Sequence, residues 1–458
     1  MAESTKVSML VFGGTGDLMK RKLVPACLQL AKQRVWGEGS RLIGVGRRAL
    51  NDSEYRAFLG LSGKEGIDVM YVQVDFSKGD TMEKIRALME EEKSEMRLYY
   101  LATAFSFFPQ IVRALQKSEL HEAPQGGWAR IVFEKPFGFD LQSSNALDEE
   151  IHEVFREEQV FRIDHYLAKE TVQNILALKA TNPLIEGILH AGVVEKIELT
   201  VDEELGVGNR LGYYHSAGAL KDMIQSHVLQ VVTLLLLDMP SAFDARSLHD
   251  AKVSVLQAIR VREAHEHLFG QYASYAKEVR VAGLDAGKKT ETFARIVVEC
   301  ANARWKGVPI VLRTGKLMGR KFGQLKVRFR DPPSNIQQTF QGTQANELLI
   351  ELYPRQDIVL RMNMRLPAGE NAVKSVSFTF SPENAFGPNT NDEYAALLAD
   401  VIAGDQTLFT RFDEIAEAWR IVEEVESMRS QIPFVTYSDG TEPEGDIVKK
   451  MNDAFTSP

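Results

Sequence analysis

Cysteine is scarce in this chain, which holds two among 458 residues, Cys27 and Cys300. Two thiols so far apart in sequence give no disulfide framework and none of the paired spacings of a cysteine metal site. We therefore expect no metal, and the low count is typical of a protein from a reducing compartment. A cytoplasmic location is the expectation.

Long apolar runs and basic runs are missing too. The longest apolar stretch, residues 228–237, is interrupted by Gln230 and Thr233 and is too short to span a bilayer. The first residues lack the apolar core and the small-residue cleavage site of a signal peptide. With a net charge of −9 and no cluster of lysine and arginine, neither a membrane nor nucleic acid is expected as a partner.

Two catalytic signatures are absent from the sequence. The P-loop pattern G-x-x-x-x-G-K-[ST] does not occur, which disfavours a nucleotide hydrolase of that class. No tyrosine is followed by lysine four positions later, so the Tyr-x-x-x-Lys pair of short-chain reductases is missing. What is present is the composition of a globular chain, long enough for two or more domains.

Short apolar runs alternate with amphipathic stretches over residues 1–163. The runs predicted as strands are VSMLVF, RLIGVG, VMYVQVDF, RLYYLAT and RIVFEKP. Nearly continuous apolar strands separated by helices indicate an α/β architecture, with a parallel, doubly wound sheet covered by helices on both faces.

The pattern changes over residues 164–458, where helices are followed by many strands. The predicted strands are VVEKIELTV, FARIVVECA, VPIVLRTG, LKVRFR, ELLIELYP, DIVLRMNM and KSVSFTF. Because no regular helices separate the later ones, they predict an α+β domain with a large, mostly antiparallel sheet and helices.

A glycine turn follows the first predicted strand. Its sequence, GGTGDLMKRKL, spaces Gly13 and Gly16 three residues apart and places Leu18 or Met19 at the third glycine of the GxGxxG pattern. Glycines at this turn let a dinucleotide pyrophosphate approach the backbone and the helix N-terminus. The alternative is a tight turn that needs glycine for its geometry alone. Its place on the first strand of the series favours nucleotide binding.

Charged residues end three of the predicted strands. Arg47 and Arg48 end the second, where an arginine accommodates the 2′-phosphate of NADP and an acid would bind the ribose of NAD. The alternative is two solvated arginines. Asp75 and Phe76 end the third strand, at the level of an adenine edge, unless Asp75 caps the next helix. Lys135 ends the fifth strand, where it can reach both cofactor and substrate.

The segment RIDHYLAKE gathers an acid, an imidazole, a phenol and an ammonium between Asp164 and Lys169. His165 and Lys169 are four residues apart, so in a helix they project from one face, beside Tyr166. Together these groups offer several hydrogen-bond donors to a phosphate. The alternative is a polar helix start in which Asp164 is the N-cap and Lys169 is solvated.

A second polar set lies on an otherwise apolar predicted helix, GYYHSAGALKDMIQSHVLQVV. Asp222 and His227 are five residues apart, which is about 140° around an α-helix, so we do not expect them on one stripe. Such a histidine is more often a satisfied core residue, and it becomes a candidate base when a carboxylate holds it. Glu203 at a strand end and Lys316 and Lys321 after a later strand add further charges.

In this combination the chain resembles the glucose-6-phosphate dehydrogenase family. The segments GGTGDLMKRKLVPA, EKPFGFDLQSS, RIDHYLAKETVQN, GYYHSAGALKDMIQSH, LRTGKLMGRK and FDEIAEAWRI follow the family's motifs in order over nearly the whole chain. The resemblance implies a Rossmann-like NADP-binding domain over residues 1–163 and an α+β substrate and oligomerisation domain over residues 164–458. It also implies the reaction, oxidation of glucose 6-phosphate to 6-phosphoglucono-1,5-lactone with hydride transfer to NADP, as in the oxidative pentose phosphate pathway.

The resemblance implies a role for each candidate residue. His227 would be the general base for the C1 hydroxyl and Asp164 its orienting carboxylate. Pro136 would follow a cis peptide bond. The implied cofactor-binding residues are Gly13, Gly14, Thr15, Gly16, Asp17, Leu18, Arg47, Asp75, Phe76 and Lys135. The implied substrate-binding residues are Lys135, His165, Tyr166, Lys169, Glu203, Asp222, Lys316 and Lys321. The resemblance also implies a homodimer or homotetramer that forms through the large sheet.

Three places depart from the family's pattern. Ala104-Phe105 stands where many members carry a proline pair in a loop that touches the cofactor, His215 stands for an aspartate near the sugar, and Tyr353 for a glutamine. These changes leave NAD preference, or another sugar phosphate, as alternatives. A catalytically silent NADP-sensing relative is a third alternative, disfavoured because it has no need of a matched acid–base set.

Overall fold

The computed structural model of the chain describes residues 6–63, 65–75, 81–91, 95–123, 126–367, 371–387 and 392–443. The chain forms two compact units. The first comprises Met1–Ala168, Phe243–His249 and Thr390–Ala416, and the second comprises Lys169–Ala242, Asp250–Asn389 and Glu417–Pro458. The chain therefore leaves the first unit close to the boundary expected at residue 163, and it returns to that unit twice.

A six-stranded parallel sheet forms the centre of the first unit. Its strands are β1 Val7–Phe12, β2 Arg41–Gly46, β3 Asp68–Gln73, β4 Met96–Leu101, β5 Trp128–Phe133 and β6 Val160–Arg162. The strand order is β3-β2-β1-β4-β5-β6, so the direction of winding reverses between β1 and β4. Ligands of such sheets bind at the carboxyl ends of the strands beside this reversal.

Helices follow each of the first five strands and cover both faces of the sheet. They are α1 Val24–Lys32, α2 Asp52–Leu59, α3 Thr81–Glu91, α4 Phe108–Lys117 and α5 Leu141–His152. Side chains of β1 alternate between the two cores: Met9 and Val11 belong to one, and Leu10 and Phe12 to the other. The predicted doubly wound parallel sheet is confirmed.

The second unit is built on a ten-stranded sheet. Its strands are β7 Val194–Asp202, β8 Ile259–Val261, β9 Leu268–Tyr272, β10 Phe293–Cys300, β11 Pro309–Gly315, β12 Phe322–Phe329, β13 Glu347–Tyr353, β14 Ile358–Arg365, β15 Val373–Phe380 and β16 Phe434–Tyr437. The order is β15-β14-β13-β12-β7-β11-β10-β9-β16, with β8 beside β10. The pairs β7–β11 and β9–β16 are parallel and the others antiparallel, which confirms the mostly antiparallel sheet.

The helices after β6 complete both units. They are α6 Glu170–Thr181, α7 Pro183–Ile188, α8 Leu211–Ala219, α9 Leu229–Leu236, α10 Ala245–Ala258, α11 Tyr275–Val281, α12 Ser334–Thr339, α13 Pro382–Phe386, α14 Glu393–Ala403 and α15 Phe412–Ser427. Between α8 and α9 the chain forms a π-helical segment, Leu220–Val228. In the described part of the chain, no helix combines the length and apolar character needed to cross a membrane.

Candidate active site

The glycine turn lies at the winding reversal of the first unit. Gly13 has a φ of 91°, and a Cβ on it would lie 2.4 Å from the carbonyl oxygen of Ala102, just after β4. A Cβ on Gly14 would lie 2.6 Å from the Cα of Gly44 in β2. The turn backbone therefore sits against both neighbouring strands, and side chains at these two positions have no room.

A phenol supports the turn from behind. The Tyr55 hydroxyl donates to the carbonyl of Gly14 over 2.7 Å, and the tyrosine ring occupies the space that a side chain on Gly44 would need. Burial raises the pKa of Tyr55, so the hydroxyl stays a donor at ordinary pH. Where the GxGxxG pattern has its third glycine, this chain has the buried Met19, the first residue of a π-helical turn, Met19–Leu23, that leads into α1.

The predicted cofactor residues lie at the carboxyl ends of the strands. Arg47 is exposed after β2, whereas the Arg48 guanidinium lies over the ring of Phe58, 5.2 Å from its centre. Asp75 follows β3, and Phe76 lies outside the described residues. Asp17 forms an exposed ion pair with Arg21 at 2.8 Å.

Lys135 follows β5 and precedes a cis peptide bond to Pro136, as the resemblance implied. Its neighbour Glu134 is held from two sides, because the hydroxyl of Tyr100 donates to it over 2.5 Å and that of Tyr394 over 3.3 Å. Burial raises the pKa of Glu134, and the two phenols oppose that shift. These contacts fix the strand end from which Lys135 projects.

The segment after β6 is a turn and not the start of a helix. Asp164 is 2% exposed, and its Oδ1 accepts the backbone N–H of Tyr166 over 2.9 Å. The rings of His165 and Tyr166 lie 5.1 Å apart. Lys169 is the N-cap of α6, so the predicted helical spacing of His165 and Lys169 is wrong. The Asp164 side chain therefore caps this turn and not a helix. A sequence pattern of a few residues does not distinguish these two structures.

Acids and bases gather at one end of β7 and β11 in the second unit. Lys316 Nζ forms an ion pair with Glu203 and lies 3.7 Å from Asp222 Oδ2. The guanidinium of Arg210 donates to Asp222 Oδ1 over 3.1 Å. The ammonium of Lys316 also lies 5.2 Å from the centre of the buried Tyr214 ring. The predicted set Glu203, Asp222 and Lys316 is therefore brought together, and Arg210 is an addition that sequence reasoning missed.

Asp222 and His227 lie on the π-helical segment, both almost fully buried. In a π-helix each N–H bonds to the carbonyl five residues earlier. Residues five apart are then about one turn apart, as residues four apart are in an α-helix. The divergence of about 140° expected for an α-helix is thus wrong here, because the local helix is wider.

Two of the residues that depart from the family's pattern, Tyr353 and His215, lie in the second unit. Lys321 lies over the ring of Tyr353, 5.3 Å from its centre. In the neighbouring strand β12, Gly323 lies opposite Tyr353, and a Cβ on it would lie 2.6 Å from the Tyr353 ring. His215 is buried, with Nδ1 3.3 Å from the hydroxyl of Tyr275.

Comparison with known proteins decides the family. A family model described as "Glucose-6-phosphate dehydrogenase, NAD binding domain" matches residues 10–174, and one described as "Glucose-6-phosphate dehydrogenase, C-terminal domain" matches residues 176–454. The chain belongs to the glucose-6-phosphate dehydrogenase family. The predicted family, fold class and enzyme class, an oxidoreductase with an NAD(P)-binding domain, are thereby confirmed.

Individual relatives of the glucose-6-phosphate dehydrogenase family agree. The glucose-6-phosphate 1-dehydrogenase of Rhizobium meliloti is 37% identical over 91% of this chain and 89% of its own length. That of Borreliella burgdorferi is 32% identical over 95% and 94%. A solved glucose-6-phosphate dehydrogenase in complex with its substrate glucose 6-phosphate superposes with a TM-score of 0.88 at 28% identity, covering 100% of both chains.

Proposed function

We propose that this glucose-6-phosphate dehydrogenase family member oxidises glucose 6-phosphate at C1 and reduces NADP. The observation that carries the proposal is the cluster of Glu203, Asp222 and Lys316, which offers acceptors and donors to the hydroxyls of a sugar. His227 follows Asp222 on the same helical segment. A base next to hydroxyl-binding groups is what the oxidation of a sugar alcohol requires.

The glycine turn fits the dinucleotide. Its backbone packs closely against the neighbouring strands at Gly13 and Gly14, and no side chain stands at Gly16. A pyrophosphate would approach the N–H of Thr15, while the N–H of Gly16 donates to the carbonyl of Gly13 over 2.8 Å and holds the turn. Asp17 and Leu18 complete the turn at the helix start. Arg47 would accommodate the 2′-phosphate. When bound, the oxidised nicotinamide accepts the hydride that leaves C1.

His227 would take the proton of the C1 hydroxyl as the C1–H pair of electrons departs. The C1–O bond then becomes the carbonyl of the lactone, and the proton remains on the imidazole. Asp164 belongs to the other unit, and its pairing with His227 is part of the proposal. A carboxylate there would orient the imidazole and stabilise the imidazolium that forms.

His165, Tyr166 and Lys169 would bind the phosphate, and Lys321 would close the sugar site together with Lys316. Lys135 would bridge sugar and cofactor. Because the phosphate is distant from C1, its binding would act on the reaction by orienting C1 toward the base and the nicotinamide.

The test is a rate assay with glucose 6-phosphate in which NADP and NAD are varied separately. Activity with NADP is the expected result. Activity with NAD alone, or with another sugar phosphate alone, would replace the proposal by the corresponding alternative. If no combination of sugar phosphate and cofactor gives activity, the remaining alternative is a catalytically silent NADP-sensing relative.

The base is tested by His227→Asn, which should lower kcat by orders of magnitude and change KM for glucose 6-phosphate little. His190→Asn is a matched control, because the His190 side chain accepts the local N–H of Gly192 over 3.1 Å and an asparagine keeps an acceptor there. Turnover of His227→Asn at the level of this control would remove His227 from the role of base.

We further propose a homodimer or homotetramer and a cytoplasmic location. Support for the oligomer comes from apolar side chains of β14 and β15 that stay about half exposed, Met364, Phe378 and Phe380. Support for a reducing compartment comes from the buried free thiols of Cys27 and Cys300. Sedimentation analysis and cell fractionation test the two statements.

A further inference from the structure

An interruption of the helical backbone precedes the segment that carries Asp222 and His227. At Gly218 the backbone has φ 66° and ψ 180°, which interrupts the helix. A new helical segment begins after it, and the first N–H groups of any helix have no partner within the helix. Its N-cap residue, Ala219, supplies no side-chain acceptor. The N–H groups at this start must be satisfied from elsewhere.

Glu291, which is distant in sequence, accepts two of the N–H groups at this start. Its backbone carbonyl accepts the N–H of Ala219 over 2.9 Å, and its Oε1 accepts the N–H of Leu220 over 3.1 Å. Glu291 thus caps the helical segment as an N-cap aspartate would, but from a position two residues before β10. Its negative charge also suits the positive end of the helix dipole.

The carboxylate of Glu291 is itself held in place. It is 1% exposed, and its second oxygen, Oε2, accepts Nη1 of Arg429 over 2.8 Å. Arg429 is oriented by Glu426 at 2.6 and 2.7 Å and lies over the ring of Phe269. A buried carboxylate is tolerated only with such a partner. The side chain that caps the segment therefore has both oxygens committed.

Gly218 and Glu291 are matched in shape. A Cβ on Gly218 would lie 2.2 Å from Oε1 and 2.5 Å from Cδ of Glu291. The positive φ alone favours glycine there, and the carboxylate fills the space that any larger residue would need. The helical segment can thus begin at only one place relative to Glu291.

The residue after Glu291 holds the other side of the sugar cluster. The carbonyl of Thr292 accepts the N–H of Lys316 over 2.8 Å. Its hydroxyl is 2.9 Å from that of Tyr437, which in turn donates to the carbonyl of Lys316 over 2.6 Å. Two consecutive residues thus fix the backbones from which Asp222 and Lys316 project.

From these contacts we infer that Glu291 is a positioning residue for the dehydrogenase reaction. It sets the location of the helical segment with Asp222 and His227 relative to Lys316. This inference rests on the proposed function, since it needs His227 as the base.

Glu291→Ala tests the inference in the full-length enzyme with glucose 6-phosphate and NADP. We expect kcat to fall about tenfold to 100-fold, because displacement of a reacting group by about 1 Å has that effect, and KM for glucose 6-phosphate to rise. KM for NADP should stay within about twofold, since the glycine turn belongs to the other unit. A smaller folded fraction would change neither KM, so this split separates positioning from general destabilisation.

Two further variants complete the test. Glu291→Gln keeps an oxygen for Leu220 and loses the charge pair with Arg429, so its kcat should lie between those of wild type and Glu291→Ala. If Glu291→Ala does not fold, a kcat of Glu291→Gln below that of wild type, with a raised KM for glucose 6-phosphate, is the expected result. Glu195→Ala, which removes the 2.9 Å ion pair with Arg328 elsewhere in the same unit, is the control and should keep wild-type kinetics. Wild-type kcat and KM in a folded Glu291 variant would overturn the inference while leaving the proposed function intact. An inactive wild type would overturn both.

Discussion

Replacing Lys179 with methionine tests how the end of α9, the helix after the π-helical segment, is held. The buried ammonium donates to the carbonyls of Leu235 and Leu237 over 2.6 and 2.5 Å. The indole N–H of Trp305 donates to the carbonyl of Leu236 over 2.7 Å. The last carbonyls of a helix have no partner within it, and here two buried side chains supply the donors.

The pKa of Lys179 gives the size of the effect. Burial lowers it from 10.5 to about 8, with the charge of Glu186 opposing the shift and that of Arg304 adding to it. Between pH 8 and 10.5 the unfolded chain therefore binds a proton that the folded chain has lost, and stability rises with pH. Integrated from pH 7 to 9.5, this single group contributes about 2 kcal/mol to the free energy of unfolding.

The assay is urea unfolding of wild type and Lys179→Met at several values of pH between 7 and 9.5. The difference between their free energies of unfolding should change by about 2 kcal/mol in favour of wild type as the pH rises. Lys306→Met, an exposed lysine next to Trp305, is the control and should run parallel to wild type. Parallel curves for wild type and Lys179→Met would refute the reasoning.

Three other outcomes are expected. Lys169→Ala should raise KM for glucose 6-phosphate about tenfold or more, the worth of a charged hydrogen bond, and steady-state kinetics with an unchanged KM would take Lys169 out of the phosphate site. Arg47→Ala should lower the affinity for NADP more than that for NAD, and an equal loss of affinity for both in a binding titration would contradict its role at the 2′-phosphate. His152, whose pKa the hydrogen bonds of Asp148 and Glu157 raise to about 10, should stabilise the fold below pH 6.5 and lose that contribution as the pH rises toward 10. Since His152 is about a third exposed, His152→Asn should remove only about 1 kcal/mol of this pH dependence in thermal unfolding, and a pH dependence identical to wild type would exclude it.

The long strands could be predicted from the sequence because their apolar residues form unbroken or alternating runs. The short strands β6, β8, β9 and β16 were not predicted, since three to five residues carry too little pattern. Partners decide such strands: β16 exists because it pairs with β9. Their place in the sheet is therefore a tertiary property.

The residues of the candidate site were also predicted only in part. Glu203, Asp222 and Lys316 were found because charges stood out at strand ends and in an apolar helix. Arg210 gave no comparable signal at the end of its short 3₁₀ helix, Gly208–Arg210, although it pairs directly with Asp222. Glu291 was missed for a stronger reason, because its partner Leu220 is 71 residues away and presents only a backbone N–H.

The π-helical segment is equivalent to an α-helix into which a residue has been inserted, so the chain between Asp222 and His227 holds one residue more than an α-helix needs for the same spacing. Deleting one residue between them would let an ordinary α-helix form, in which His227 follows four residues after Asp222 and still lies about one turn away. The residues of α9 would then keep their places, and the carbonyls that end α9 would still meet Lys179 and Trp305. A single deletion at this point should therefore be better tolerated than one inside α9, where every later residue would turn by about 100°.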